Sequence, residues 1–133
     1  MELKKTYKGF ILWMAGFVAV SVGIVFLPVS SVVMTRMVGN CCSLGITLLA
    51  FIIYKTEYVY WYNGTSYEDA VKAGTDRRKA FAWKHFLCFG IFSLAFLLFS
   101  IIMHLLNMSF WIDFWVLLVG IVAVAISTIR YKL

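Results

Sequence analysis

The chain has 133 residues, of which 63% are hydrophobic and only 14% charged. Soluble domains carry about 25% charged residues, so this balance excludes an ordinary water-soluble protein and points to lipid as the solvent. The formal charge of +6 does not indicate nucleic acid as a partner, because the basic residues flank apolar runs, where anionic headgroups attract each by about 1 kcal/mol.

Charge-free runs occupy 9–27, 37–54, 86–106 and 114–129. At about 1.5 Å per residue each is long enough, or nearly so, to cross roughly 30 Å of hydrocarbon. The expected fold class is therefore all-α, a single polytopic membrane domain over 1–133 with four transmembrane helices. Threading the chain back and forth collects eleven of the twelve Lys and Arg residues on one face and leaves Arg36 alone on the other. By the positive-inside rule that basic face is cytoplasmic, with both termini there, and the setting expected is a bacterial plasma membrane.

Lys4 and Lys5 precede the first run as they would in a signal peptide, but 19 uncharged residues without an A-x-A-like site predict a retained anchor. Pro28 stops that helix, and Ser30 or Ser31 offers an oxygen to cap the next. The second helix is expected over 31–62, with 37–54 in the membrane. Tyr54, Tyr58, Trp61 and Tyr62 recur at helical spacing in its last turns as an interfacial aromatic belt, and Asn63 and Gly64 form its stop. Thr65 and Glu68 read as a capping box opening a short helix that Gly74 closes, and Thr75 or Asp76 caps the next. Residues 63–85 are thus a cytoplasmic helical loop that feeds the third span, 86–106, without a break. A brief outer connection leads to a fourth span over 111–129, anchored by Trp111 and Trp115.

An internal repeat is visible. Tyr7-Lys8-Gly9-Phe10-Ile11 corresponds to Trp83-Lys84-His85-Phe86-Leu87 at an offset of 76, and Gly45-Ile46 corresponds to Gly120-Ile121 at 75. The expected plan is two helical hairpins of the same orientation, an arrangement found in transporters and equally produced whenever an apolar hairpin with basic flanks is written twice. This two-hairpin plan, the spacing of Phe10 and Gly16, and Phe86-Leu87-Cys88-Phe89-Gly90 resemble the GtrA family of small four-span proteins. The resemblance implies a part in moving lipid-linked sugars. The insert from Asn63 to Lys84 is longer than that family's connection, so no functional residue is carried over.

Several residues could carry chemistry. Arg77, Arg78, Lys79, Lys84 and His85 form a basic collar able to hold a phosphate or an anionic lipid headgroup, or simply to anchor the helix. Cys42, Ser43 and Thr47 form a polar stripe that could line a path between protomers. Arg36, Asn40, His104 and Asn107 could meet as an outer polar site. Cys41 and Cys42 could bind a soft metal as thiolates, with His104 as a third ligand, or be small packing residues; no metal or other cofactor is expected. Ala15, Ala19 and Gly23 in the first span, and Gly39 in the second, offer small surfaces for close helix packing. No acidic or basic residue lies at the middle of a span, which argues against a proton pump or intramembrane hydrolase. Nucleotide-binding glycine loops, HExxH and CxxC patterns are absent.

The sequence therefore predicts a non-enzymatic integral membrane protein acting through assembly as a transport, channel or scaffold subunit, alone or with a partner membrane protein. A GtrA-like role in lipid-linked sugar translocation is one alternative. Another is an accessory subunit that regulates or protects a partner, docking through residues 65–84 by way of Tyr67 and Val71.

Overall fold

A computed structural model describes residues 2–62 and 64–133, and the described residues contain helices and no strand. Four long helices account for most of them: α1 (Lys8–Val25), α2 (Ser31–Thr56), α3 (Tyr67–Leu105) and α4 (Phe110–Ile129), with one 3-10 turn at Val59–Trp61. All four are long and apolar enough to cross a membrane. The start of the chain, the α2–α3 connection and the last residues meet at one end, here called the basic end; Arg36 lies toward the other.

Local chemistry sets the helix limits. Before Pro28, the amides of Phe26 and Leu27 close α1 by donating to the Gly23 and Ile24 carbonyls respectively, both at 3.1 Å. The Ser30 hydroxyl then accepts from the Val33 amide at 3.3 Å to open α2. At the other end of α2 the expectation of a helix to residue 62 is wrong. Glu57 takes a left-handed conformation, φ 61, and the helix ends at Thr56, six residues early. Such a conformation costs a non-glycine residue about 1–2 kcal/mol. It is held because the Glu57 carboxylate is drawn inward to Arg78, whose Nη2 and Nε lie 2.8 and 3.0 Å from Oε2.

The turn after Glu57 folds the aromatic residues back over the basic end, where they pack instead of continuing a helical belt. Tyr60 accepts from the Thr6 amide at 2.9 Å, Trp61 donates to the Thr6 carbonyl at 3.0 Å and Tyr67 donates to the Leu3 carbonyl at 2.6 Å. Leu3, Ile53, Val59, Ala70, Phe81 and Ala82 are buried beneath them. The cap of α3 lies one residue beyond the expected Thr65–Glu68 pair: Ser66 accepts from the Asp69 amide at 3.0 Å and donates to its carboxylate at 2.7 Å. Asn63, expected in the stop of the second helix, lies outside the described residues. Within α3 the helical dihedrals are interrupted at Gly74 alone, at φ 78 and ψ 166, a conformation that glycine adopts without a Cβ penalty.

Side-chain hydroxyls and glycines then pack the helices. Thr47 lies 2.6 Å from the Ser93 hydroxyl and 3.0 Å from the Phe89 carbonyl, while Ser93 donates to the Ser43 carbonyl at 2.8 Å, joining α2 to α3 at mid-length. Phe17 of α1 lies so close over Gly45 of α2 that a Cβ there would meet its ring at 2.6 Å, and Phe92 of α3 covers Gly120 of α4 in the same way. α4 packs on both α2 and α3, whereas α1 packs on α2 and buries no residue fully. The four helices therefore form a three-helix unit with α1 laid against its side.

Arg78 and Glu57 are 4% exposed each, and a buried charge without its partner costs about 3–5 kcal/mol. Arg78→Met is expected to destabilise the protein by about that amount, read from thermal unfolding in detergent. The double variant Glu57→Gln, Arg78→Met should lose clearly less than the two single losses added together.

Candidate anion-binding cleft

Three stretches of chain border a cleft of about 680 Å³ at the basic end: residues on either side of the Gly74 break, the end of α4 with the residues after it, and the segment following the 3-10 turn. Its floor is aromatic. His85 stacks on Tyr62 with centroids 4.3 Å apart and planes 22° apart, Phe81 lies 4.4 Å from the imidazole and Tyr131 closes one side at 5.6 Å. Its walls carry the cations Lys72, Arg77 and Lys132. Among the described residues Asp69 is the one acidic side chain lining it, and its carboxylate accepts from Ser66.

The floor contains two polar groups in unusual states. His85 Nδ1 lies 3.0 Å from the Phe81 carbonyl; a carbonyl only accepts, so Nδ1 bears the proton and Nε2 of the neutral ring is an acceptor. Burial pushes the His85 pKa below its ordinary value, against a smaller opposing effect of the Phe81 bond, which favours the neutral ring at pH 7. The Tyr62 hydroxyl is buried with no hydrogen-bond partner among the described residues, and burial raises its pKa. Above the floor, three exposed cations against one carboxylate leave a net positive field suited to a phosphate or carboxylate. The arrangement can bind an anion through the cations of its rim.

The structure divides the basic collar read from the sequence. Arg77 and His85 line the cleft, but Arg78 turns the other way and is consumed by Glu57, by the Ala70 carbonyl at 2.9 Å and by Thr75 at 3.1 Å. This removes Arg78 from any headgroup site. Lys79 points toward the same carboxylate at 3.8 Å with 52% of its side chain exposed, and Lys84 lies over the Tyr131 ring at 5.5 Å. Adjacent helical residues diverge by about 100°, so one collar cannot share one ligand. Lys72, Lys132 and Tyr62 were not legible as partners, since the break at Gly74 and the chain's return after α4 bring them together.

The outer polar residues do meet, around an acid that the sequence reading passed over. Arg36 Nε lies 3.2 Å from Asp113, Nη1 is 3.0 Å from His104 Nδ1 and Nη2 donates to the Met108 carbonyl at 2.7 Å. Ser100 donates to Asp113 at 2.9 Å and accepts from Asn40 at 3.1 Å. Asn107 takes no side-chain part; it is exposed and makes the turn at φ 52. This cluster braces the α3–α4 connection on α2, and its charges are spent inside the protein.

Ser43 and Thr47 likewise join α2 to α3 and are not free to line a path between protomers; Cys42, beside them in sequence, is half-buried. Cys41 lies 3.7 Å from the Ser21 hydroxyl, and no three His, Cys, Asp or Glu side chains converge for a metal among the described residues. Ala15, Ala19 and Gly23 are exposed along α1, while Gly39 is covered by Leu117 and Phe96. Tyr67, expected to face a partner, is tied to Leu3.

Because its folded pKa is depressed, His85 resists the proton that the unfolded chain accepts below an ordinary value of about 6.5. Its contribution is therefore fully present above that pH and is lost as pH falls through the lower folded value, so stability declines on acidification. Thermal unfolding in detergent from about pH 7.5 to about pH 5, which brackets an ordinary histidine, should show a smaller decline for His85→Phe than for the unaltered protein. Comparison with known protein families, curated proteins and solved structures yields no match to this chain.

Proposed function

We propose that this chain is an integral protein of a bacterial plasma membrane, with both termini cytoplasmic, that holds a phosphate-bearing lipid headgroup at the inner leaflet. The observation that carries the proposal is the convergence of Lys72, Arg77 and Lys132 over an aromatic floor of Tyr62, Phe81 and His85. The cleft lies just below the residue where the charge-free run of the third span begins, the depth at which a phosphate sits. Nonspecific attraction contributes about 1 kcal/mol per cation; a defined cleft adds directed hydrogen bonds. The GtrA-like reading, in which a lipid-carried phosphate is moved, is the form of this proposal that gives binding a purpose.

The test is retention of phosphatidic acid on protein released from doped phosphatidylcholine nanodiscs, measured by native mass spectrometry. Combining Lys72→Gln, Arg77→Gln and Lys132→Gln should lower retention by about tenfold or more, equivalent to about 1.4 kcal/mol. Lys4→Gln, Lys5→Gln and Lys55→Gln together remove the same charge outside the cleft and should leave most of it. Equal losses in the two variants would mean that only a diffuse field acts, and the cleft would not be the site.

A second reading, assembly into a transport, channel or scaffold unit, is favoured by α1, which stands at the side of the protein without a fully buried residue. In this reading α1–α2 and α3–α4 are two parallel copies of one hairpin. The support is a matched contact: Phe17 over Gly45 and Phe92 over Gly120 are separated by 75 residues at both positions.

A further inference from the structure

If α1–α2 and α3–α4 are repeats, the operation that carries the first hairpin onto the second can be read from which helices touch. A two-fold rotation would carry the second hairpin back onto the first, and α4 would then pack on α1 as α2 packs on α3. The helix pairs that pack substantially are α2 with α3, α3 with α4, α1 with α2 and α2 with α4, and α4 with α1 is not among them. The repeat is therefore open. The α2–α3 interface is a joint between successive hairpins, and one repeat further along it requires α4 to meet the first helix of a following hairpin.

We propose that this following hairpin belongs to a second copy of the chain, whose α1 docks on α4 in the register with which α3 docks on α2. The inference rests on the assembly reading above and extends it to a specific surface. The occupant follows from continuity with the existing interface: the one helix with the sequence relationship to α3 is α1, and every copy presents it.

The register is determined residue by residue. On α2, Gly39 meets Phe96, and Ser43 and Thr47 meet Ser93. Shifted by 75 residues, the surface of α4 is Phe114, Leu118 and Val122. Shifted back by the same amount, Ser93 becomes Val18. All four are 44–55% exposed, whereas Ser43 and Ser93 are 2% exposed.

The change from hydroxyls to aliphatic side chains matches the two circumstances. Within one chain the polar seam forms as the helices fold and pairs the hydroxyls of Thr47 and Ser93. A seam between copies must first face lipid, where unpaired hydroxyls are costly, and then associate by packing. A joint of this head-to-tail kind closes into a ring or runs on as a chain of copies.

The experiment uses full-length protein with Cys41, Cys42 and Cys88 replaced by alanine, reconstituted in liposomes and treated with copper phenanthroline. Thr47 and Ser93 have side-chain oxygens 2.6 Å apart, so sulfurs at the corresponding positions fall within reach of a disulfide. Val18→Cys with Val122→Cys in one chain should give a covalent ladder of dimers and higher species on nonreducing gels. Either substitution alone should give little. Ala19→Cys with Val122→Cys turns one thiol about 100° away and should also give little. Native mass spectrometry of the cysteine-free protein from nanodiscs is run alongside. A monomer there would overturn assembly and this proposal together. An oligomer without the Val18–Val122 ladder would leave assembly standing and overturn the register, and strong cross-linking of Ala19→Cys to itself would replace it with a symmetric contact along the Ala15, Ala19 and Gly23 stripe. None of these outcomes bears on headgroup retention by the cleft.

Discussion

The basic end is organised by the ion pair between Glu57 and Arg78, 2.8 Å apart with both side chains out of solvent. Holding that carboxylate inside obliges the backbone at Glu57 to turn left-handed, which ends α2 and throws the next five residues back over the helices. Arg78 also reaches the Ala70 carbonyl across the interruption at Gly74, so one guanidinium fastens both sides of the break in α3. Once α3 bends there, Lys72 and Arg77 stand on the same side of the helix as His85, and Tyr62 can stack upon that histidine. The cleft is a consequence of the ion pair even though neither charge lines it.

The interior of the helical unit follows a different economy of polar groups. In a medium without water a hydroxyl or amide must find its partner in the protein, and here nearly all of them do. Ser43, Thr47 and Ser93 tie α2 to α3 at mid-length, and Arg36, Asp113, Ser100, Asn40 and His104 tie three helices together at the far end. These contacts make α2, α3 and α4 a unit held by direction as well as by packing. They also consume the groups that a permeation path through this unit would need.

α1 is attached by other means. Trp13 donates to the Gly45 carbonyl at 3.2 Å, Phe17 lies against the same glycine, and the segment before α1 is held by Tyr60, Trp61 and Tyr67. The helix is thus located firmly on one side while most of its surface stays free. The proposed headgroup site and the proposed contact of α1 with α4 are compatible in one molecule: such assembly would leave the cleft under the end of α4 within each copy.

By itself the sequence determined four helices and the clustering of basic residues at one end, because both depend on one-dimensional quantities: the length of uncharged runs and the alternation of their ends. Pro28, Ser30 and Gly74 were legible for the same reason, since each acts on its own backbone. What only the tertiary structure decided depends on which side chains meet at long range. Nothing in the sequence around Glu57 or Asp113 signals burial, yet each is buried by an arginine 21 or 77 residues away. The aromatic residues from Tyr58 to Tyr62 had helical spacing, but spacing is a weak preference and a buried ion pair outweighs it. The collar likewise separated into cleft, ion pair and ring contact, because residues adjacent in sequence point in different directions on a helix.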